Sequence, residues 1–389
     1  MVSDISIFFK PIESGREAHA EGTLGKRVKV FTDSDSFPEI TAGSVVILTI
    51  NDDRRSDARS GDFEGAAAIR KALFQLKDHF PKTNIIDLGV ISAGETVEDT
   101  YYALSSAVSS IVKNNAVALI LGGGQDLTYA NYLAYEKLEQ VVNLVTVDSR
   151  FDIGDVDDEI SADRFLQKII LHQPNVLFNY SNLGYQSYYV EQKEVDMMRK
   201  MYFDIYRLGE VQNGLEEVEP IVRNADMLSF DLSCIRSSDF PANHRAEPNG
   251  IYGEQACAIT RYAGLSDKLT SIGFYDYEFD RDRNGQSANL IAQMIWYFLW
   301  GVEHRKGDYP FTDKEEYLKY TVSIRQGQYD IIFYKSQRSD RWWMEVPYPS
   351  KRGQKYERHF MVPCSYNDYQ SACNEEIPDR WWQTFQKLG

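Results

Sequence analysis

No run of about 18 apolar residues occurs in this chain, so nothing in it has the length that a membrane-spanning helix requires. Cysteine is scarce. The four present, Cys234, Cys257, Cys364 and Cys373, are scattered with no CxxC spacing, which argues against a zinc site or a disulfide framework and for reduced, buried thiols. Positive charge is short too, with 42 Lys and Arg against 58 Asp and Glu and a formal net charge of −16. Such a surface is repelled by phosphate backbones and anionic lipid, so neither nucleic acid nor membrane is an expected partner. The opening stretch MVSDISIFFKPIESGREAHAEG has no basic-then-apolar targeting pattern, and a cytoplasmic location is expected.

What the chain does have is alternation, organised around Leu119 to Asp155. An apolar run enters Gly122-Gly123-Gly124, an amphipathic segment follows, and a second apolar run, Val141 to Val147, ends in Asp148 and Asp152. β-Branched runs bounded by Gly or Asp suit strands buried on both faces of a parallel sheet, and the helical pattern between them completes a βαβ unit. Further strands are expected at Val45–Ile50, Asn84–Val90, Val117–Leu121, Val176–Tyr180, Phe203–Leu208, Met227–Leu232 and Thr270–Tyr275. Helices are expected at Glu64–Leu76, Thr96–Lys113, Val195–Met201, Leu215–Asn224, Glu254–Gly264 and Ser287–His304. Repeated β then α over this length means an α/β domain, spanning 44–308, with helices on both faces of a mostly parallel sheet. A barrel would show the same alternation, so periodicity alone does not choose. Residues 1–43 read as a lead-in with some strand character at Val28 to Phe31. In open sheets chemistry gathers beyond the carboxyl ends of the strands, where Gly122–Asp126 and Asp148–Asp152 both fall.

After about Asp308 the texture changes. Residues 309–389 form an aromatic-rich α+β extension in which DRWW occurs twice, ending at Trp342-Trp343 and at Trp381-Trp382. The run Tyr320 to Ser336 alternates about a Gly-Gln centre like a β-hairpin. Trp and Arg are favoured at interaction hot spots, so the two Trp pairs could mark a protein-partner site; equally, they could staple the extension onto the main domain.

Three ordered motifs carry a resemblance. They are Gly122-Gly123-Gly124-Gln125-Asp126, then Asp148-Ser149-Arg150-Phe151-Asp152, then Ser229-Phe230-Asp231-Leu232-Ser233 followed by Ala246-Glu247-Pro248-Asn249-Gly250-Ile251. In order and spacing the chain resembles the ureohydrolases, the arginase, agmatinase and formimidoylglutamase family, from roughly Val45 to His304. The glycine triplet and Ser161–Ile169 look most like the formimidoylglutamase branch. The resemblance implies a three-layer α/β/α sandwich on about eight parallel strands, with two manganese ions at their carboxyl ends sharing a hydroxide nucleophile.

The same resemblance gives a ligand set that is only half kept. Asp148, Asp152 and Asp231 stand where the family has aspartates, while Gln125, Arg150 and Ser233 replace two histidines and an aspartate. Gln125 keeps an amide oxygen, Ser233 offers a neutral hydroxyl, and Arg150 has no lone pair to give. The family's first ion would be held by Gln125, Asp148, Asp152 and Asp231; its second needs the positions of Arg150 and Ser233. Three carboxylates at strand ends repel one another, so Arg150 is expected to pair with them in the former metal pocket. Glu247 matches the family's substrate-facing acidic residue. His244 reads as a solvated side chain rather than a replacement ligand, His172 as a packed one, and the loop Asp157–Arg164 lacks the histidine that the family commonly uses as a proton shuttle.

The expectation is therefore a ureohydrolase-like protein without a binuclear centre and without a cofactor, retained for binding a ligand or a protein. The alternative is a hydrolase of C–N bonds in linear amidines that uses a single divalent cation, Mn or Mg, or none. A structural subunit of a larger assembly is compatible with the first of these, and the resemblance allows an oligomer such as the family's trimers and hexamers.

Overall fold

The computed structural model describes residues 4–12, 19–57, 62–155, 158–309, 316–324, 327, 329–347 and 359–388. Ten strands build the main sheet: Phe9–Lys10 (β1), Lys29–Val30 (β2), Val45–Asn51 (β3), Ile85–Ser92 (β4), Val117–Leu121 (β5), Val142–Val147 (β6), Leu177–Tyr185 (β7), Asp204–Arg207 (β8), Met227–Asp231 (β9) and Ser271–Tyr275 (β10). Their order is β1-β4-β3-β5-β10-β9-β6-β7-β8, with β2 pairing β4 in parallel. From β4 to β8 every neighbour is parallel; only β1 runs against its partner. The sheet is open, which decides between sandwich and barrel. The lead-in is not separate from it, because β1 and β2 both bond to β4.

Period-two alternation along buried strands feeds a core on each face. In β3, Val45 and Ile47 face one cluster while Val46, Leu48 and Ile50 face the other. Helices Asp62–Gln75, Leu215–Arg223, Gly253–Leu265 and Gln286–Glu303 cover the first face; Val97–Lys113, Leu127–Lys137 and Leu166–Leu171 cover the second. These are the three layers the sequence implied. The helices Gly253–Leu265 and Gln286–Glu303 touch backbone to backbone, since a Cβ on Gly264 would lie 2.1 Å from the Phe298 carbonyl oxygen. Among the described residues no helix is long and apolar enough to cross a membrane. Cys234, Cys257 and Cys364 are buried thiols, as expected, and Cys373 is exposed.

The extension forms a second sheet, all antiparallel, of Tyr317–Ile324 (β11), Tyr329–Ser336 (β12), Trp342–Glu345 (β13) and Met361–Cys364 (β14), in that order. β11 and β12 are the hairpin read from alternation, with most of its Gly-Gln turn outside the described residues. Trp342 and Trp381 pack in the extension's core against Phe178 of β7, and Trp343 is buried in a neighbouring cluster. Only Trp382 of the four is exposed, at 41%. Arg223 donates from Nη2 to the Trp342 and Cys364 carbonyls at 3.1 and 3.3 Å and lies over the Trp343 ring. Three of the four tryptophans thus hold the extension together and onto the main domain.

Candidate functional site

β5, β10, β9 and β6 are consecutive neighbours, so the residues just beyond their carboxyl ends meet. β5 supplies Gln125 and Asp126, β10 Asp276, β9 Asp231 and Ser233, and β6 Asp148 and Asp152. The loop after β5 can turn so tightly only because of its glycines. Gly122 and Gly123 have φ of 85° and 74°, and a Cβ on Gly123 would sit 2.8 Å from the Asp52 carbonyl oxygen. Asp152 and Asp276 also adopt positive φ, 50° and 62°, a conformation that Asp tolerates better than most residues and that turns each away from its strand direction.

Five buried aspartates result, and each carboxyl is pushed above its ordinary range. Burial raises Asp148 to about 7, with the Asp231 charge adding to it. Burial and the neighbouring Asp148 hold Asp152 well up, and the two share a hydrogen bond. Burial, with Asp231 nearby, does the same to Asp276. Burial lifts Asp231 against the pull of the Ser233 bonds, and lifts Asp126 to about 7 although the Tyr101 hydroxyl donates to it at 2.6 Å. The pocket prefers neutral carboxyls unless a cation enters.

Several lone pairs are already engaged. The Arg150 backbone N–H donates to Asp148 Oδ1 at 2.8 Å. Ser233 donates to Asp231 from its backbone N–H at 2.8 Å and its hydroxyl at 2.5 Å. Ser56 Oγ donates to Asp276 Oδ1 at 2.7 Å, and the Gln125 backbone N–H to its Oδ2 at 3.3 Å. The Gln125 side chain donates to Ser229 Oγ at 3.3 Å and bonds Asp148. Among the described residues no three His, Cys, Asp or Glu side chains stand gathered as a ready-made metal cage.

The expected Arg150 ion pair does not form. Its guanidinium stacks over the Tyr189 ring, 4.2 Å from the centroid, and among the described residues it makes no ion pair. The reason is tethering: the Arg150 N–H is held by Asp148 and its carbonyl by Asn182 Nδ2 at 2.8 Å, so the backbone is fixed and the long side chain leaves the pocket. The basic residue that does act on the carboxylates is Arg245. It pairs with Asp163, Nη2 to Oδ2 at 2.8 Å, and its charge eases both Asp231 and Asp276 downward.

The other candidates fall outside the pocket. Glu247 is exposed on the rim, bonded to Tyr189. His244 is not simply solvated, because its Nδ1 lies 2.6 Å from Glu278 while Arg245 Nε donates to its Nε2 at 3.3 Å. His172 packs as expected, between Tyr129 and Glu136. Of the loop Asp157–Arg164, Asp157 lies outside the described residues. Asp276 and Arg245 are not singled out by the sequence, and Asp126 stands in the first motif without an assigned role. Asp276 had a signal, since it directly follows the apolar run Thr270–Tyr275 at a strand's carboxyl end.

A family model described as the arginase family matches residues 43–301. The chain belongs to the arginase family. Formimidoylglutamase of Geobacillus kaustophilus is 24% identical over 249 residues, 61% of this chain and 77% of that protein. The Staphylococcus aureus formimidoylglutamase is 25% identical over 251 residues, 62% and 80% of the two chains. Among solved structures, Bacillus subtilis formimidoylglutamase superimposes with a TM-score of 0.66 at 15% identity, covering 76% of this chain and 96% of that one. Trypanosoma cruzi formiminoglutamase, solved with Mn2+2, gives 0.61 at 19%, covering 67% and 94%. These structural matches speak for the arginase-family fold. The expectation of a cofactor-free protein is corrected at this point: the family it belongs to includes a manganese-bearing formiminoglutamase of the same fold.

The donor chemistry of this arginase-family pocket decides what would fit. The Asp148, Asp152 and Asp231 carboxylates are of the kind that suits one hard divalent cation, although among the described residues they are not gathered as a finished cage. The Gln125 amide, whose Nε2 faces Ser229 and Asp148, joins them only with its oxygen turned inward. The positions that the resemblance gives to a second ion fit one poorly: Arg150 carries no lone pair and points to Tyr189, and Ser233 offers only a neutral hydroxyl, donating to Asp231, where the family has a carboxylate.

Proposed function

We propose that this arginase-family protein holds one hard divalent cation through Asp148, Asp152, Asp231 and Gln125, and has lost the two-ion hydrolysis of the formimidoylglutamases it resembles. It then serves as a binding protein for a small polar ligand at that cation. The observation that carries this reading is the placement of Arg150: with its guanidinium on Tyr189, the second ion lacks a ligand on one side, and Ser233 leaves it short on the other. When bound, the cation would supply the positive charge that five crowded carboxyls lack and would polarise a ligand oxygen. The chain's own residues do the rest. Gln125 and Ser229 fix the floor, Ser56 and Gln125 orient Asp276, and Arg245 closes one side through Asp163.

A second reading keeps hydrolysis of linear amidines with that single cation. It is favoured by the Asp126 carboxyl, outside the proposed ligand set and pushed up to about 7, where a carboxyl exchanges its proton near neutral pH and suits acid–base work. Two measurements separate the readings. Elemental analysis after incubation with manganese is expected to give about one ion per chain; two per chain would overturn both. Turnover of formiminoglutamate, agmatine and arginine is expected to be absent, and its presence at one ion per chain would select the second reading.

A further inference from the structure

The Arg150 guanidinium lies at the mouth of the carboxylate pocket with one face on an aromatic ring and, among the described residues, no carboxylate on its N–H edge. It lines a cavity of about 290 Å³ together with Asp152, Asp163, Tyr189, Glu194 and Arg245. The other arginine there is already committed to Asp163, and Tyr189 is bonded to Glu247. A guanidinium stacked by its face and anchored at its backbone keeps a planar, pre-oriented fork of donors, the geometry that recognises a planar oxyanion in two parallel hydrogen bonds. We propose that Arg150 is the anion-recognition residue of this pocket and that its ligand is a small carboxylic acid, bound with the carboxylate on the Arg150 edge beside the cation site. The proposal rests on the reading of the pocket as a ligand-binding site.

The choice of carboxylate over phosphate follows from the surrounding charge. Asp163 and Glu194 line the same cavity, so a phosphate group that gathers up to two charges at the Arg150 fork meets more repulsion there than a carboxylate group with one. The volume admits a molecule of modest size and excludes a folded partner. The position that resemblance assigns to a metal ligand would thus have changed its role from holding an ion to holding an acid.

The test is calorimetric titration of the full chain, with and without Mn2+, using glutarate as probe and neutral glutaramide and inorganic phosphate as controls. Glutarate is expected to bind and glutaramide to bind at least tenfold more weakly. R150Q is expected to weaken glutarate at least tenfold, and R150K to fall between, because lysine keeps the charge and loses the fork. Each variant's melting temperature reports that it is folded. Equal glutarate affinity in wild type and R150Q would overturn the proposal, as would phosphate binding more tightly than glutarate. Arg150-dependent glutarate binding without any response to Mn2+ would support this proposal and sink the single-cation reading, so the two fail separately.

Discussion

Replacing Asp148 with asparagine separates a cation site from a merely structural cluster of acids. Asp148 is 2% exposed, and burial lifts its carboxyl from 3.8 to about 7. Three units at about 1.36 kcal/mol each put the stake on the order of 4 kcal/mol. The sign follows from linkage. The unfolded chain releases this proton near pH 4 and the folded chain only near pH 7, so the stability it contributes is full below pH 4 and is lost as pH rises through 7. Asparagine has no such proton to lose, and its oxygen can still accept the Arg150 N–H that now bonds Asp148 Oδ1 at 2.8 Å.

Melting temperatures in chelator therefore should coincide near pH 4 and part as pH rises, with D148N the more stable at pH 8. A chain of 389 residues loses about 0.8 kcal/mol per degree near its midpoint, so the gap approaches about 5 °C. Manganese at about one hundred times its dissociation constant adds roughly 2.7 kcal/mol, about 3 °C, to wild type. D148N should lose most of that gain. The reasoning is refuted if D148N melts below wild type at pH 8 in chelator, or if manganese raises both proteins alike.

Four further outcomes follow from the same structure. The triple variant Gln125→His, Arg150→His, Ser233→Asp should raise bound manganese from about one to about two per chain by elemental analysis; no gain would mean the loops themselves no longer suit a second ion. Arg70→Met removes the buried partner of Asp87, bonded at 2.7 and 3.0 Å, and should lower stability to denaturant by about 3–5 kcal/mol. Trp381→Ala empties the core of the extension, where the ring stacks on Phe385 and Nε1 donates to the Glu345 carbonyl at 3.0 Å; a loss of about 3–5 kcal/mol should appear as early proteolysis within 309–389. Arg245→Met should destabilise the metal-free protein by about 1–3 kcal/mol at pH 8 and by less at pH 4, where the acids it offsets are protonated; calorimetric melts at the two pH values check this.

Buried strands and the helices between them were legible because burial on two faces leaves long apolar, β-branched runs. β5 runs from Val117 to Leu121 as read, and β6 begins one residue later than read. β7 was read as ending at Tyr180, yet it runs to Tyr185, because Ser181 and Asn182 look like loop residues by polarity. Asn182 is in fact buried and bonded to Thr146 and to the Arg150 carbonyl, so its polarity is satisfied inside the sheet. β2 falls within the strand character of Val28 to Phe31, while β1 has two residues, too few to carry a period. The aspartates of the motifs fell where strand ends placed them, while Arg245 came from a loop whose reach across to Asp163 no local pattern encodes.

Arg150 shows where such reading stops, and why the error is informative. Coulomb's law says a guanidinium among carboxylates should pair with them, and it does so only if the backbone lets it turn inward. Here the N–H and carbonyl of Arg150 are fastened at both sides by Asp148 and Asn182, which leaves the side chain to find the nearest surface, the Tyr189 ring. The carboxyls then lack a neutralising partner at close range. Burial and mutual repulsion hold them above the ordinary carboxylate range instead, and Arg245 offsets Asp231 and Asp276 from outside the cluster. A divalent cation competes with protons, not with an arginine, for these oxygens. Its affinity must therefore climb with pH through the range in which Asp148 releases its proton, near 7, whereas an internal ion pair would have made it flat there.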